Sequence, residues 1–109
     1  MAKQTYVPTF ESFQSLNEAK LDRDEMMKWI RKSVKFAKPS EEFADRMEGG
    51  IWMSGEAGDE YKGNVIYSYY SEDIKNREFG VLNKWEKELN KKGWYSEWYD
   101  AGTVMVWPL

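Results

Sequence analysis

Apolar side chains in the first half of the chain recur at helical spacings. Between Asp22 and Pro39 they lie at i, i+3 or i+4, and i+7: Met26, Met27, Ile30, Val34 and Ala37. This pattern predicts a helix from about Asp22 to Ala37, with acids in its first turn, where the helix dipole favours them. A short helix over 41–48 is predicted between Ser40, which can cap it, and the Gly49-Gly50 pair.

The pattern changes to β type after Gly50. Residues 51–54 and 64–70 read as two strands around the polar, Gly-rich loop 55–63. A connector over 71–76 and a helix over about 78–92 follow, and strands 94–99 and 103–107 form a hairpin over Asp100-Ala101-Gly102. The order α-α-β-β-α-β-β predicts an α+β fold, with a four-stranded, mainly antiparallel sheet and helices on one face. We assign 19–109 to a single α+β domain and 1–18 to a leader or N-terminal docking segment.

Composition narrows the chemistry that the domain can perform. The 109 residues include neither His nor Cys, which excludes Ser-His and Cys-His nucleophile pairs and zinc sites of the usual kinds. Paired carboxylates still leave glycoside hydrolysis or magnesium binding open. There is no Gly-rich phosphate loop and no spaced set of acidic ligands, so we expect no cofactor and no metal.

Charge is distributed unevenly, although the net charge is only −3. Residues 19–38 hold seven basic and three acidic side chains, and residues 39–60 hold seven acidic and one basic. On the first predicted helix the bases at i, i+3, i+4 and i+7 form one stripe: Lys28, Arg31, Lys32 and Lys35. The stripe indicates either a patch for phosphate or an acidic protein surface, or a solvated helix face paired with the acidic segment. A pI near 5.1 disfavours general nucleic-acid binding.

Aromatic residues exceed what a core of this size needs. Six Trp, seven Tyr and five Phe occur in the chain, and surplus Tyr and Trp are favoured at interfaces. Strand alternation separates Trp94, Ser96 and Trp98 from Tyr95, Glu97 and Tyr99. We predict an open sheet face that presents tyrosines for binding: Tyr67, Tyr69, Tyr95 and Tyr99. These strands carry no basic neighbours for a base-stacking platform, so a protein partner is favoured over nucleic acid.

The segment from Thr9 to Glu18, followed by Ala19, has an aromatic-acid-x-aromatic core and ends in Leu16, Asn17 and Glu18. It resembles the capsid-targeting sequences of T-even-like tailed phages. The resemblance implies cleavage by a prohead protease after Glu18, at a site marked by Leu16, Glu18 and Ala19, and carriage inside the phage head. The alternative is an N-terminal helix that docks on the domain through Phe10, Phe13 and Leu16.

These observations favour a small, non-enzymatic protein that acts by binding another protein. A phage-encoded inhibitor of a host or defence protein, or a packaged virion protein, fits the leader. Two alternatives stay open: a nucleic-acid-binding accessory protein that uses the basic stripe, and a carboxylate- or metal-dependent enzyme. No apolar run is long enough to span a membrane. The expected location is therefore the cytoplasm of a host cell, or a phage head.

Overall fold

The computed structural model describes residues 20–109. Two α-helices are present in this part of the chain, α1 (Arg23–Ile30) and α2 (Asn83–Lys91), and a 3-10 helix spans Ser40–Glu42. The strands are β1 (Lys38–Pro39), β2 (Ile51–Ser54), β3 (Glu60–Tyr61), β4 (Asn64–Val65), β5 (Arg77–Glu78), β6 (Val81–Leu82), β7 (Trp94–Asp100) and β8 (Thr103–Pro108).

The main sheet has four strands in the order β1-β2-β8-β7, and every pair in it is antiparallel. The predicted α+β fold with a four-stranded antiparallel sheet is confirmed. The predicted C-terminal hairpin is also confirmed, because β7 and β8 pair along their length and turn at Ala101-Gly102. The two central strands, β2 and β8, pair in a continuous register from Ile51 opposite Val106 to Ser54 opposite Thr103.

The core lies between one face of this sheet and the two helices. Alternate positions of β2 and β8 supply its sheet side with Ile51, Met53, Val104 and Val106. From the helices come Met26, Met27 and Ile30 of α1 and Trp85 and Leu89 of α2. Burying each such side chain contributes about 1.5–3 kcal/mol, so this layer supplies most of the driving force for folding.

The opposite face of the sheet carries a smaller aromatic layer. The ring of Phe43 lies 5.2 Å from that of Trp52 on β2 and 4.9 Å from that of Tyr99 on β7. Strand β8 lies between β2 and β7, so the Phe43 ring, which contacts both of them, lies across β8. Met105 of β8 is only 1% exposed. Phe36 packs edge-on against Trp52 at 5.3 Å. The segment between α1 and β2 thus shields part of the face that α1 and α2 do not cover.

Helix α1 ends at Ile30, seven residues earlier than predicted. It begins as expected: Asp22 caps the helix, and Asp22 and Glu25 exchange the two hydrogen bonds of a capping box. At its other end the Arg31 guanidinium donates two hydrogen bonds to the carbonyl oxygen of Ala37, at 3.0 and 2.6 Å. This closure turns the chain while Ala37 remains buried, so the apolar pattern continues beyond the helix that it predicted.

The predicted helix over 41–48 is replaced by the 3-10 turn Ser40–Glu42 and a loop. Ser40 is fully buried, and its hydroxyl donates to the carbonyl oxygen of Met47 at 2.6 Å and accepts from the Gly50 amide at 2.9 Å. A side chain that closes a loop in this way competes with the backbone ladder of a helix. The sequence signal for a cap at Ser40 was therefore a signal for a loop.

Two short hairpins between β2 and α2 were not predicted. The segment predicted as strand 64–70 is divided: Asn64–Val65 pairs with β3, and Tyr67 bridges to Val81 of β6. The predicted helix 78–92 begins only at Asn83 because the β5–β6 hairpin occupies its start. The loop 55–63 likewise contains β3 and its turn.

The phenol of Tyr67 joins α2 to β7 inside the core. Its hydroxyl oxygen accepts a hydrogen bond from the Trp85 indole nitrogen at 2.7 Å, and lies 2.8 Å from the Ser96 hydroxyl. Tyr67 can therefore donate its own proton to Ser96. Burial raises the pKa of Tyr67, so the phenol stays protonated and retains this proton.

We expect Tyr67→Phe to lower the free energy of unfolding by about 2 kcal/mol, because it leaves the buried indole N–H without an acceptor. Tyr61→Phe is the matched control. The Tyr61 ring also packs against Trp85, at 5.4 Å, but its hydroxyl makes no hydrogen bond within residues 20–109. Urea unfolding measures both variants, and equal effects would contradict this role for the Tyr67 hydroxyl.

Candidate binding groove

The basic stripe predicted on the first helix is not a helix face in the structure. Lys28 lies on α1, whereas Arg31 is its C-cap and Lys32 and Lys35 follow the helix. Arg31 is held by its hydrogen bonds to Ala37, and the Lys35 ammonium lies 3.6 Å from the Asp59 carboxylate. Two of the four bases thus make contacts within the domain, and one of them, Lys35, pairs with an acid of the segment 39–60.

The predicted tyrosines do not share one surface. Tyr67 belongs to the core, so the prediction that it reaches solvent was wrong: its ring packs against Trp85 and Trp98. Tyr95 and Tyr99 lie on the face of β7 opposite the core, as strand alternation predicted, and Tyr99 there contacts Phe43. Tyr69 is half exposed and lies beside Trp98. Of the four, it is the one that lines the groove described below.

An open groove of about 930 Å³ lies beside the β5–β6 hairpin. Its walls come from the segment 69–80, the first residue of α2 and the core-facing side of β7: Tyr69, Ser71, Asp73, Ile74, Arg77, Glu78, Phe79, Gly80, Asn83 and Trp98. Six large apolar side chains are exposed among residues 20–109, and three of them line this groove, Tyr69, Ile74 and Phe79. A fourth, Tyr70, packs on Tyr69 with ring centroids 5.1 Å apart. The exposed apolar surface of the domain is therefore concentrated here.

Phe79 occupies a backbone conformation that a phenylalanine rarely adopts. It is the first residue of a two-residue turn between β5 and β6, with φ 51°, and Gly80 follows with φ 78°. Two positive φ angles define the type I′ turn, which favours Asn, Asp or Gly at its first position. Holding Phe there costs about 1 kcal/mol, and 86% of its surface remains exposed. Neither the turn nor the core gains from this side chain.

Trp98 of β7 contacts the turn of the β5–β6 hairpin and holds it in place. Its indole nitrogen donates a 2.7 Å hydrogen bond to the carbonyl oxygen of Phe79, so the strained turn is fixed against β7. The Trp98 ring lies 5.0 Å from Tyr69 and 5.8 Å from Tyr67, edge-on in both cases. A Cβ atom at Gly80 would lie 2.6 Å from the carbonyl oxygen of Ser68, so only glycine allows the turn to approach this closely. The backbone of the turn and the rings of Trp98 and Tyr69 are therefore held in place by contacts within the domain.

A second cavity, of about 360 Å³, shares Phe79, Glu78 and Trp98 with the groove and is otherwise lined by Val81, Glu86 and Ser96. Glu86 is half buried, and its Oε2 atom accepts a hydrogen bond from the Ser96 amide at 2.9 Å. Its Oε1 atom is buried and has no hydrogen-bond partner within residues 20–109. Desolvation raises the pKa of Glu86, against the lowering effect of the hydrogen bonds from Ser96. An incompletely satisfied carboxylate thus adjoins this cavity.

Two other charged groups of the groove, Asp73 and Arg77, hold the chain through hydrogen bonds. Asp73 accepts from the backbone amides of Lys75 and Asn76, and these contacts and the Asn76 side chain lower the pKa of its carboxyl. The Arg77 guanidinium donates to the carbonyl oxygen of Ile66 at 3.2 Å. Glu78 is exposed beside Phe79. The segment 71–78 is therefore ordered by its own polar side chains and presents Ile74 and Phe79 outward.

The predicted cleavage residues Leu16, Glu18 and Ala19 lie outside the described residues. The sequence also failed to indicate Phe79, Ile74 and Glu86. Gly80 was a partial signal for a two-residue turn, but the residue before it is not the Asn, Asp or Gly that marks such a hairpin. Glu86 gave no signal, because its burial depends on β7.

We expect Glu86→Gln to stabilise the domain at neutral pH. Because the folded-state pKa of Glu86 is raised, the ionised carboxylate destabilises the fold above that pKa, and the effect vanishes below the unfolded-state value near 4.5. The gain should therefore be largest at pH 7 and fall toward zero as the pH drops below 4.5.

Glu88→Gln is the matched control, with the opposite sign. Lys92 and Lys91 lower the pKa of Glu88, so its ionised form stabilises the fold above the unfolded-state pKa and that contribution disappears in acid. Urea unfolding of both variants between pH 4 and pH 7 gives the two slopes. A Glu86→Gln protein less stable than the parent at pH 7 would contradict the unsatisfied state of this carboxylate.

The groove offers aromatic contact surface and carboxylates. Within residues 20–109 no three acidic side chains lie close enough together to hold a metal ion, and no helix is long and apolar enough to cross a membrane.

Comparison of the chain with protein-family models, with curated proteins and with solved structures finds no match.

Proposed function

We propose that this chain is a binding protein that holds a protein partner in the aromatic groove beside the β5–β6 hairpin. The observation that carries the proposal is the exposure of Phe79: its side chain is 86% exposed at a turn position where its backbone conformation is strained. Large, rigid aromatic side chains are the commonest anchors of protein interfaces. Phe79 and its neighbours therefore have the properties of an anchor that becomes buried only when a partner binds.

The surroundings of Phe79 support a preorganised interface. Ile74 is 91% exposed and Tyr70 is 80% exposed, and both extend the apolar surface beside Phe79. The Trp98 indole holds the turn through its hydrogen bond to the Phe79 carbonyl oxygen. Preorganisation lowers the entropy cost of binding, since the backbone of the anchor residue is already held in place. An exposed apolar patch of this kind is typical of a protein–protein interaction site.

Nucleic acid is a weaker fit to this surface. Apart from Arg77, which is engaged with Ile66, the charged residues that line the groove and the cavity beside it are acids. Phosphate groups would be repelled by Asp73, Glu78 and Glu86. The alternative proposal of an anionic partner rests on the basic residues Lys28, Arg31, Lys32 and Lys35, which form no single helix face and lie on different elements from the groove. Carriage in a phage head stays a prediction that rests on Thr9–Ala19.

We expect Phe79→Asn to abolish partner binding while it stabilises the fold. Asn suits the first position of a type I′ turn, so relief of strain should raise the free energy of unfolding by about 1 kcal/mol, or the melting temperature by about 4–8 °C. The binding assay is selection of a displayed random-peptide library on the full chain, followed by titration of the selected peptides.

The matched control is Lys62→Asn. Lys62 has φ 52° and precedes Gly63 in the turn between β3 and β4, so it occupies the same position in the same class of turn. Both substitutions should stabilise the domain, but only Phe79→Asn should lose the peptides. If no peptide is selected, or if the selected peptides bind Phe79→Asn as tightly as the parent, the groove is not the binding site.

A further inference from the structure

Acidic side chains dominate the cavities around Phe79. The smaller cavity is lined by Glu78 and Glu86 and by no base. The groove itself adds Asp73 and Arg77, and an adjoining cavity of about 260 Å³ beneath Tyr69 and Tyr70 adds Glu56. Three acids and one base thus line the groove and the smaller cavity, a fourth acid lines the adjoining cavity, and the base is engaged with the Ile66 carbonyl oxygen. The field at the groove favours a positively charged ligand.

The aromatic walls favour the same sign of charge. The face of an aromatic ring carries negative electrostatic potential and attracts a cation within about 6 Å of its centre, most strongly when the ring belongs to Trp. Phe79 and Trp98 border both the groove and the smaller cavity, and Tyr69 stands edge-on to Trp98 at 5.0 Å. A cation at this position would lie beside aromatic rings and carboxylates together.

Glu86 supplies a further reason for a ligand that donates hydrogen bonds. Its Oε1 atom has no donor within residues 20–109, although its Oε2 atom is held by the Ser96 amide. A buried acceptor without a donor costs free energy. A donor that entered the smaller cavity and drew this carboxylate toward it would remove that cost, and a positively charged donor would remove more of it.

We propose that the groove receives a basic side chain, preferably arginine, from the protein partner, with the cation between the Phe79 and Trp98 rings and the carboxylates of Glu78 and Glu86. The assignment rests on the proposed function of the groove and specifies its partner. Arginine is preferred over lysine because its planar guanidinium stacks on aromatic rings and donates to carboxylates in pairs. Apolar neighbours of this arginine would cover Ile74 and Tyr70.

Charge also argues against the N-terminal segment of the same chain as the occupant. Its apolar residues Phe10, Phe13 and Leu16 could suit an aromatic groove, but residues 1–19 hold one basic side chain, Lys3, and two acidic ones, Glu11 and Glu18. A segment without an excess of bases gains no attraction from Asp73, Glu78 and Glu86. A second copy of the chain could offer Lys28 or Lys32, and self-association is therefore measured directly.

The test uses the peptides selected on the full chain. Those that depend on Phe79 should be enriched in Arg or Lys at one position relative to the starting library. Replacing that residue by citrulline, which keeps the planar shape and removes the charge, should weaken binding about tenfold or more, as expected for a charge-assisted hydrogen bond. The affinity of the basic peptide should also fall as salt increases.

Glu78→Gln and Glu86→Gln should each lower the affinity for the basic peptide about tenfold. Neither substitution should change the affinity for the citrulline peptide appreciably. Glu42→Gln is the matched control: it removes the same charge from an exposed residue of the 3-10 helix that lines neither cavity. Thermal unfolding is the check that all three variants are folded, and Glu86→Gln is expected to be more stable than the parent.

The outcomes separate the two levels of the proposal. Phe79-dependent peptides that lack a base, or that bind equally well with citrulline, overturn the arginine assignment and keep the binding groove. Absence of any Phe79-dependent peptide overturns both. A concentration-dependent dimer in sedimentation, lost in Phe79→Asn, would show that a second copy of the chain occupies the groove and would overturn a foreign basic partner.

Discussion

The hydroxyl group of Tyr67 connects the two layers of the domain. It accepts from the Trp85 indole on α2 and meets the Ser96 hydroxyl on β7, so it fixes the helix to the edge strand through one buried polar chain. Two consequences follow from this position. Trp98 packs on the Tyr67 ring and is held where its indole nitrogen can reach Phe79. Glu86, one residue after Trp85, is placed against the Ser96 amide. The groove is thus built on a contact inside the core.

The sequence predicted the elements whose contacts are local. The C-terminal hairpin, the alternation of Trp94, Ser96 and Trp98 with Tyr95, Glu97 and Tyr99, and the start of α1 at Asp22 all depend on neighbouring residues, and the structure confirms each. Apolar periodicity did not locate the end of α1, because Val34 and Ala37 are buried by a turn that Arg31 closes, and a turn can bury the same residues as a helix.

The groove could not be predicted for a different reason: its parts are distant in sequence and are brought together by tertiary contacts. Residues 64–70 look like one strand, yet Val65 pairs with β3 and Tyr67 with β6, and this division sends Tyr67 into the core and Tyr69 outward. Phe79 resembles a buried helix residue until its hairpin is known. Of the predicted tyrosines, Tyr69 lines the groove, and the structure adds Phe79 as the more exposed ring.

Phe79 and Glu86 are two residues that the stability of the fold does not require. Asn would suit the first position of the turn better than Phe79 does. Gln at position 86 would remove the negative charge of a carboxylate whose Oε1 atom lacks a donor. Each residue therefore destabilises the domain by its own mechanism, one through backbone strain and the other through desolvation. Both border the same cavity of about 360 Å³. A cationic side chain in this cavity would bury the exposed ring and would balance the carboxylate, so one ligand could offset both costs at once.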